Sequence, residues 1–174
     1  MKNEKTIFSN KYIALKEKTV RTGNKNLKYY LVEKPDYVAI APIYKDKILL
    51  ITQHRYGPDK NIKNIPMGLI KKGEDLYQAA KRELFEETGI SVATNNLKYL
   101  SSFYIAPSFT KIKGHLFHAE CKNNILKPNF KVDEKHEVVN MQWVPINKIK
   151  KTDEIDLTTQ LAITIISSKS INKG

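Results

Sequence analysis

Three glutamates, Glu83, Glu86 and Glu87, lie within five residues of a chain that carries only 18 acidic residues. Positions three and four apart share a face of an α-helix, so the three carboxylates would converge within one turn. Like charges at this spacing destabilise a helix, and a bound cation would relieve the repulsion. Because hard divalent ions such as Mg²⁺ and Mn²⁺ prefer carboxylate oxygens, the cluster predicts a metal site. The alternative is a solvated acidic face.

The helix that would carry these glutamates follows a glycine-containing loop that runs from Gly68 to Glu74. Residues 75–88 are predicted to form the helix, with Glu74 and Asp75 in its first turn, where acidic side chains interact favourably with the helix dipole. Gly89 is predicted to end it, since glycine readily adopts the left-handed conformation found there. The loop and helix would thus hold the carboxylates at the edge of a cleft.

Apolar runs bounded by turn residues predict a sheet around this helix, and the apolar stripe of Leu76, Ala80 and Leu84 would pack on it. The runs at 37–44 and 47–53 are almost continuously apolar, as is typical of strands buried on both faces. The predicted strands are 12–20, 27–32, 37–44, 47–53, 97–105, 114–121 and 138–144, followed by a short helix at 145–151 and a longer one at 157–167. This order predicts an α/β (α+β) sandwich with a mixed sheet.

The composition fits one domain spanning 1–174, with 41% hydrophobic residues and a formal net charge of +12. The lysines are scattered among asparagines and isoleucines, so the charge indicates a compositional bias, and a nucleic-acid partner is not expected. The single Cys121 excludes a disulfide framework and fits a reducing compartment. No apolar run reaches the length of a membrane span, and residues 1–5 are unlike a signal peptide. We therefore expect a cytoplasmic protein.

The residues around the glutamates resemble the signature of the Nudix hydrolases: Gly, five residues, Glu, seven residues, then Arg-Glu-apolar-x-Glu-Glu-x-Gly-apolar. The matching positions are Gly68, Glu74, Arg82, Glu83, Leu84, Glu86, Glu87, Gly89 and Ile90. The resemblance implies an α/β/α sandwich that hydrolyses a nucleoside diphosphate linked to another moiety.

Further segments resemble the ADP-ribose pyrophosphatase branch of that family, and the likeness extends over about residues 12–150. These segments are 53–55, 64–68, 104–110 and the acidic residues within 133–137. The resemblance implies cleavage of a nucleoside diphosphate sugar such as ADP-ribose, to AMP and ribose 5-phosphate. Departures from the branch at Asn64, Met67, 106–108 and Lys111 leave the substrate open. The alternatives are a hydrolase of nucleoside triphosphates, dinucleoside polyphosphates or RNA 5′ ends, and a non-catalytic nucleotide-ligand sensor.

Within this framework Glu83 and Glu87 are predicted to be direct ligands of Mg²⁺ (or Mn²⁺), with Glu86 bridging or holding metal-bound water. The resemblance implies that the backbone carbonyl of Met67 joins them. Arg82 is predicted to orient a glutamate through a bidentate bond, because only three of the 30 basic residues are arginines and a planar fork suits carboxylates. The alternative for Arg82 is a surface salt bridge.

The remaining site residues are predicted around the phosphates and the attacking water. Arg55 is predicted to contact a substrate phosphate, and Gly68 to permit close approach of the backbone to metal and phosphate. Glu74 is a candidate partner of Arg82, or a residue that holds metal-bound water or a metal ligand in place. The general base is predicted to be Glu134 or Glu137 on a loop, although either could be a solvated charge.

The N-terminal strands, residues 1–35, are predicted to lie outside the catalytic fold of residues 36–174. The resembling branch often exchanges this region between subunits to complete the substrate pocket. We therefore expect a homodimer that binds a nucleotide sugar.

Overall fold

The computed structural model describes residues 4–122, 138–149 and 154–171. Within these ranges the chain forms ten strands in two sheets and two helices of more than one turn. The strands are β1 (Glu4–Ser9), β2 (Ala14–Thr22), β3 (Lys25–Glu33), β4 (Tyr37–Tyr44), β5 (Lys47–Arg55), β6 (Lys60–Asn64), β7 (Met67–Leu69), β8 (Leu97–Tyr104), β9 (Lys113–Glu120) and β10 (Val138–Pro145), and the helices are α1 (Leu76–Thr88) and α2 (Leu157–Ile171).

The larger sheet has seven strands and mixed directions. Its order is β10-β5-β4-β9-β8, with β6 paired to β5 and β7 paired to β4. The β4–β9 pair is parallel and the other pairs are antiparallel. Pairing between β4 and β5 is confined to one end, where Ile43 opposes Ile48 and Tyr44 opposes Lys47. β4 and β5 then separate, which leaves one edge of each strand free. β7 pairs with that edge of β4, and β6 pairs with that edge of β5.

Strand β4 explains why the sandwich has two layers of helix. Val38 and Ile40 lie in the apolar cluster beneath α1, whereas Ala39 and Ala41 lie in the cluster that includes Ala162 of α2. Alternate residues of a strand point to opposite faces, and here both faces are covered. The prediction of strands buried on both sides, and of an α/β/α sandwich, is confirmed.

Helix α1 has a defined cap at each end. Asp75 precedes it, and its side chain accepts hydrogen bonds from the backbone N–H groups of Tyr77 and Gln78 at 2.8 and 3.1 Å. Gly89 ends it with φ 70°, the left-handed conformation predicted from the sequence. The predicted acidic first turn is wrong: Asp75 is the N-cap and Glu74 lies in the preceding loop.

The other predicted elements agree with the structure except at three places. Strands β1, β6 and β7 were not predicted, because β6 is short and mostly polar and β7 has three residues. The short helix predicted at 145–151 is wrong, since 146–148 form a single 3-10 turn, and 150–151 lie outside the described residues. Helix α2 continues to Ile171, beyond the predicted end at residue 167. None of the helices in the described ranges is long and apolar enough to cross a membrane.

The second sheet, β1-β2-β3, is antiparallel and touches the sandwich at a few points. The backbone N–H of Val32 donates to the Phe109 carbonyl at 2.8 Å. The Lys111 ammonium donates to Glu33 at 2.5 Å and to Glu4 at 3.3 Å. Lys111 therefore ties two strands of this sheet to the loop before β9. The large apolar side chains exposed in this region are Ile7, Phe8, Tyr12, Leu27, Tyr29 and Tyr30.

Candidate active site

Strand β7 lies against α1 at Gly68. An added Cβ on Gly68 would lie 2.1 Å from the carboxyl carbon of Glu83. Gly68 does not have the positive φ that favours glycine, so the requirement here is space. The missing side chain lets the Glu83 carboxylate lie directly against the backbone of β7. The predicted close approach of metal and phosphate to Gly68 stays a prediction.

Arg82 lies at the centre of an acidic cluster beside this contact. Its Nε and Nη2 donate to the two carboxylate oxygens of Glu74 at 2.7 and 2.8 Å, which is a bidentate pair. Its Nη1 donates to Glu86 at 2.9 Å and also to Glu83, and its Nη2 donates to the Leu69 carbonyl at 3.0 Å. The arginine side chain is 18% exposed. One guanidinium thus joins α1, the loop before it and β7, which a surface salt bridge would not do.

The charge on Arg82 acts unequally on its partners. The bidentate contact holds the pKa of the Glu74 carboxyl well below its usual range, at about 2. Glu83 also contacts Arg82, yet burial raises its pKa and outweighs the arginine, while the charge of Glu86 adds to the rise. Glu74 is therefore a stable anion that anchors the arginine, and Glu83 is a buried carboxylate whose negative charge is poorly compensated.

Glu87 lies one turn further along α1 and is 6% exposed. One of its oxygens accepts from the backbone N–H of Met67 at 2.9 Å, and the other accepts from the side-chain amide of Gln53 at 3.1 Å. Burial raises the pKa of Glu87 to about 7, and the charge of Glu83 contributes, against the opposing hydrogen bond from Met67. The N–H of Met67 thus binds Glu87, whereas the predicted role of its carbonyl as a metal ligand stays a prediction.

The donor chemistry of this cluster fits a divalent cation. Glu83 and Glu87 are buried, their anionic forms are disfavoured, and Glu86 lies on the same face of α1. In the described part of the chain no group of three or more His, Cys, Asp or Glu side chains is arranged to hold a metal ion as it stands. Glu83 and Glu86 are both bonded to Arg82. Carboxylate oxygens are the ligands that Mg²⁺ or Mn²⁺ prefers, and a bound cation would favour the anionic forms of Glu83 and Glu87.

A cleft of about 430 Å³ adjoins the acidic cluster. Its volume lies within the range of small-molecule sites. Met67 and Gly68 belong to both the cleft and the cluster, and Arg55, the last residue of β5, lies in the cleft wall. Its predicted contact with a substrate phosphate stays a prediction. Lys34 adds a second positive charge. The apolar part of the wall includes Pro35, Tyr37, Leu69, Ile105 and Ile112.

Sequence reasoning missed the contribution of α2 to this cleft. Asp156 and Thr158 line the cleft, and the Thr158 hydroxyl hydrogen-bonds to that of Tyr37 at 2.9 Å. The Asp156 carboxylate also accepts from the backbone N–H of Thr159 at 2.9 Å. The order Asp-Leu-Thr-Thr at the start of an apolar run was the available signal, since Asp is a preferred N-cap residue. Nothing in the sequence placed this helix end near Arg55.

Two predicted residues cannot be placed, and other candidate groups lie elsewhere. Glu134 and Glu137, the predicted general bases, lie outside the described residues. His54 contacts Asp59 at 3.2 Å rather than the acidic cluster. Burial raises the pKa of the Cys121 thiol to about 11, which does not favour a thiolate nucleophile.

Comparison with known proteins identifies relatives for almost the whole chain. The NUDIX domain family matches residues 34–161, which begins after the N-terminal sheet and ends in α2. The chain is 32% identical to the ADP-ribose pyrophosphatase of Bacillus subtilis (strain 168) over 168 residues, covering 94% of this chain and 89% of that protein. It is 35% identical to the methanol dehydrogenase activator of Bacillus methanolicus over 116 residues, covering 66% of this chain and 62% of that protein.

Two further similarities concern proteins described as ADP compounds hydrolases. The chain is 31% identical to NudE of Escherichia coli (strain K12) over 106 residues, covering 61% of this chain and 54% of that protein. A crystal structure of an ADP compounds hydrolase superposes with a TM-score of 0.82 at 23% identity, covering 99% of this chain and 94% of the other. At that identity the superposition shows the shared fold.

Proposed function

The chain belongs to the Nudix hydrolase family, and on this premise we propose that it is a divalent-metal-dependent pyrophosphohydrolase of nucleoside diphosphate sugars. The observation that carries the proposal is the contact between Gly68 and Glu83, with Glu86 and Glu87 on the same helix face. It brings an acidic cluster to the wall of a cleft that also contains Arg55. Such a cleft would hold the diphosphate between cationic groups.

Glu83, Glu86, Glu87 and the backbone carbonyl of Met67 would hold the cation, which we propose to be Mg²⁺ or Mn²⁺. A bound divalent ion neutralises charge on a diphosphate and lowers the pKa of bound water. The chain's own part in the reaction is positional. Arg82 fixes Glu83 and Glu86 relative to Glu74, and the absence of a side chain on Gly68 leaves room for the Glu83 carboxylate.

Arg55 would bind a substrate phosphate, because a guanidinium matches phosphate oxygens and the residue lies in the cleft wall. The substrate we propose is ADP-ribose, cleaved to AMP and ribose 5-phosphate. Support comes from the relative described as an ADP-ribose pyrophosphatase, which the chain matches over 94% of its length. The general base stays a prediction at Glu134 or Glu137.

We also propose a homodimer in which residues 1–35 contact a second copy and 36–174 form the catalytic fold. The exposed apolar side chains of the N-terminal sheet support this, because exposed patches of this kind mark interaction surfaces. Cytoplasmic localisation stays a prediction from the composition.

A substrate panel tests the proposed activity. Purified protein with Mg²⁺ or Mn²⁺ is incubated with ADP-ribose, ATP, a dinucleoside polyphosphate and 5′-capped RNA, and the nucleotide products are separated and quantified. We expect AMP and ribose 5-phosphate from ADP-ribose with the highest kcat/KM of the four. Preferred cleavage of capped RNA or ATP would move the protein to another substrate class of the same family.

A further inference from the structure

The predicted phosphate-binding arginine and the most buried glutamate of the site are joined by a single side chain. Gln53 of β5 is 4% exposed. Its amide nitrogen donates to Glu87 at 3.1 Å, and its amide oxygen accepts from Arg55 at 2.7 Å. A neutral amide can face a carboxylate with its donor and a guanidinium with its acceptor at the same time. Neither an acidic nor a basic side chain could do both.

Asn64 fixes the direction of that amide. Its side-chain nitrogen donates to the Gln53 oxygen at 2.8 Å and to the Ile65 carbonyl at 3.3 Å. If the Gln53 amide were reversed, its donor would meet the donors of Asn64 and Arg55, and its oxygen would meet the Glu87 carboxylate. The observed orientation is therefore the one in which the Gln53 amide pairs with Glu87, Arg55 and Asn64 at the same time.

The side chain of Asn64 lowers the stability of the fold at this position. It is fully buried in β6, and its Oδ1 is a buried side-chain atom without a hydrogen-bond partner. A buried polar atom without a partner is destabilising, and an apolar side chain of similar shape would remove that cost. Among the described contacts, the favourable interactions of Asn64 are thus the hydrogen bonds that its side-chain nitrogen donates to Gln53 and to the backbone.

We propose that Gln53 and Asn64 are positioning residues, which hold Glu87 and Arg55 in fixed relative orientation and so couple metal binding to substrate binding. Gln53 makes both contacts, and Asn64 acts through Gln53. This inference rests on the proposed function, because it takes Glu87 as a metal ligand and Arg55 as a phosphate ligand. Loss of Gln53 should therefore disturb both Glu87 and Arg55. Loss of Asn64 should have a smaller effect on the same two residues, because Asn64 acts through Gln53.

The test is a double-mutant cycle with Gln53→Met, Asn64→Leu and the combined variant. Methionine keeps the length of Gln53 without its polar ends, and leucine keeps the approximate size of Asn64. The matched control is Asn61→Leu, which makes the same change at an exposed position of the same strand. Each protein is measured for Mn²⁺ affinity by calorimetry without substrate, for kcat and KM on ADP-ribose, and for thermal unfolding.

We expect Gln53→Met to weaken Mn²⁺ binding about tenfold and to raise KM for ADP-ribose, as for other groups that orient metal ligands. Asn64→Leu should have a smaller effect in the same direction, with an unchanged or higher melting temperature. The combined variant should match Gln53→Met, because Asn64 acts through it. Asn61→Leu should leave all three measurements unchanged.

The proposal is overturned if the two losses multiply in the combined variant, or if Asn64→Leu alters only the melting temperature. Should Gln53→Met fail to fold, Gln53→Asn retains an amide that is too short to reach both partners and should show the same losses. If both fail to fold, Gln53 is structural and the proposal is wrong. A wild type that binds Mn²⁺ but cleaves no nucleotide sugar contradicts the proposed function instead, while the Mn²⁺ titrations still decide the positioning role.

Discussion

The central sandwich and the N-terminal sheet are built from similar strands but cover their apolar side chains to different extents. In β4 of the sandwich, Val38 to Ala41 are fully buried, with one face of the strand under α1 and the other under α2. In the N-terminal sheet, five large apolar side chains are 41–53% exposed, and Tyr12 between β1 and β2 is 61% exposed. The sandwich therefore covers both faces of its central strand with its own helices, whereas the N-terminal sheet leaves large apolar side chains exposed.

The polar groups of the two regions differ in the same way. In the sandwich, Arg82 is 18% exposed and contacts three carboxylates at once. In the N-terminal sheet, Arg21 is exposed and donates to the carbonyl of Gly23 at 3.3 Å. The two arginines thus contribute differently to the free energy of folding, because burial strengthens an ion pair that solvent would weaken.

Removing one site carboxylate should have the largest effect, and the same replacement in the N-terminal sheet should have almost none. Glu83→Gln removes a charge that lies against Gly68, so kcat for ADP-ribose should fall at least about a hundredfold. Glu17→Gln changes a carboxylate that is 22% exposed and binds Lys28 and Tyr30, and kcat should change less than about twofold because the pair lies outside the acidic cluster. Steady-state kinetics measure both. Equal losses would remove the distinction between the two regions.

Replacing an arginine with lysine should give the next largest difference. Lysine keeps the charge of Arg82 but cannot donate two parallel bonds to Glu74 while reaching Glu83 and Glu86. We expect Arg82→Lys to lower kcat about tenfold and the free energy of unfolding by about 1 kcal/mol. Arg21→Lys is the matched control and should change neither quantity. Kinetics and urea unfolding give the two values, and a fully active Arg82→Lys would show that the fork is not required.

A single methyl group at Gly68 should have a moderate and selective effect. In Gly68→Ala the added Cβ would overlap the Glu83 carboxylate, so that carboxylate must move. We expect kcat to fall severalfold to about tenfold, in line with displaced ligands. The melting temperature should fall only slightly, because the overlap is with the end of a side chain and not with backbone. Gly57→Ala, where nothing lies within 4 Å of the added Cβ, is the control. Equal kcat values in the two variants would contradict the close contact.

Substitutions on the exposed face of the N-terminal sheet should have the smallest effect on catalysis and the largest effect on the dimer. Phe8 and Tyr30 lie on the same face, since their cross-strand partners Leu15 and Glu17 are two residues apart on β2. Replacing both with serine should convert a dimer to a monomer in analytical ultracentrifugation and raise KM a few fold (about two to five, as for a minor loss of uniform binding). A wild type that is monomeric at the same concentration would contradict the dimer.

The sequence predicted the sandwich well because its patterns are local. The stop at Gly89 and the strand at 37–44 were both confirmed. The acidic face of α1 followed from helix periodicity alone. By contrast, the polar strand β6 carries little hydrophobic signal, and Glu74 was placed in the first turn of the helix although the helix begins after the N-cap Asp75.

Contacts between segments that are far apart in the sequence could not be predicted, and the reason is physical. The link between Gln53 and Glu87 joins residues 34 positions apart, and that between Tyr37 and Thr158 joins residues 121 apart. Such pairs depend on how β5, α1 and α2 pack, which no local pattern encodes. Lys111, one of the departures that leaves the substrate open, is a further example: its ammonium binds Glu33 and Glu4 of the N-terminal sheet, which no local pattern indicated.

The most direct test of the account is whether hydrolysis of ADP-ribose needs both a divalent cation and Glu87. AMP release is measured for the wild type and for Glu87→Gln with Mg²⁺, with Mn²⁺ and with excess chelator, after near-ultraviolet circular dichroism has shown that both proteins are folded. The account predicts AMP release by the wild type with either cation, none with chelator, and at least about a hundredfold slower release by Glu87→Gln. Undiminished release in chelator, or by Glu87→Gln, would contradict it.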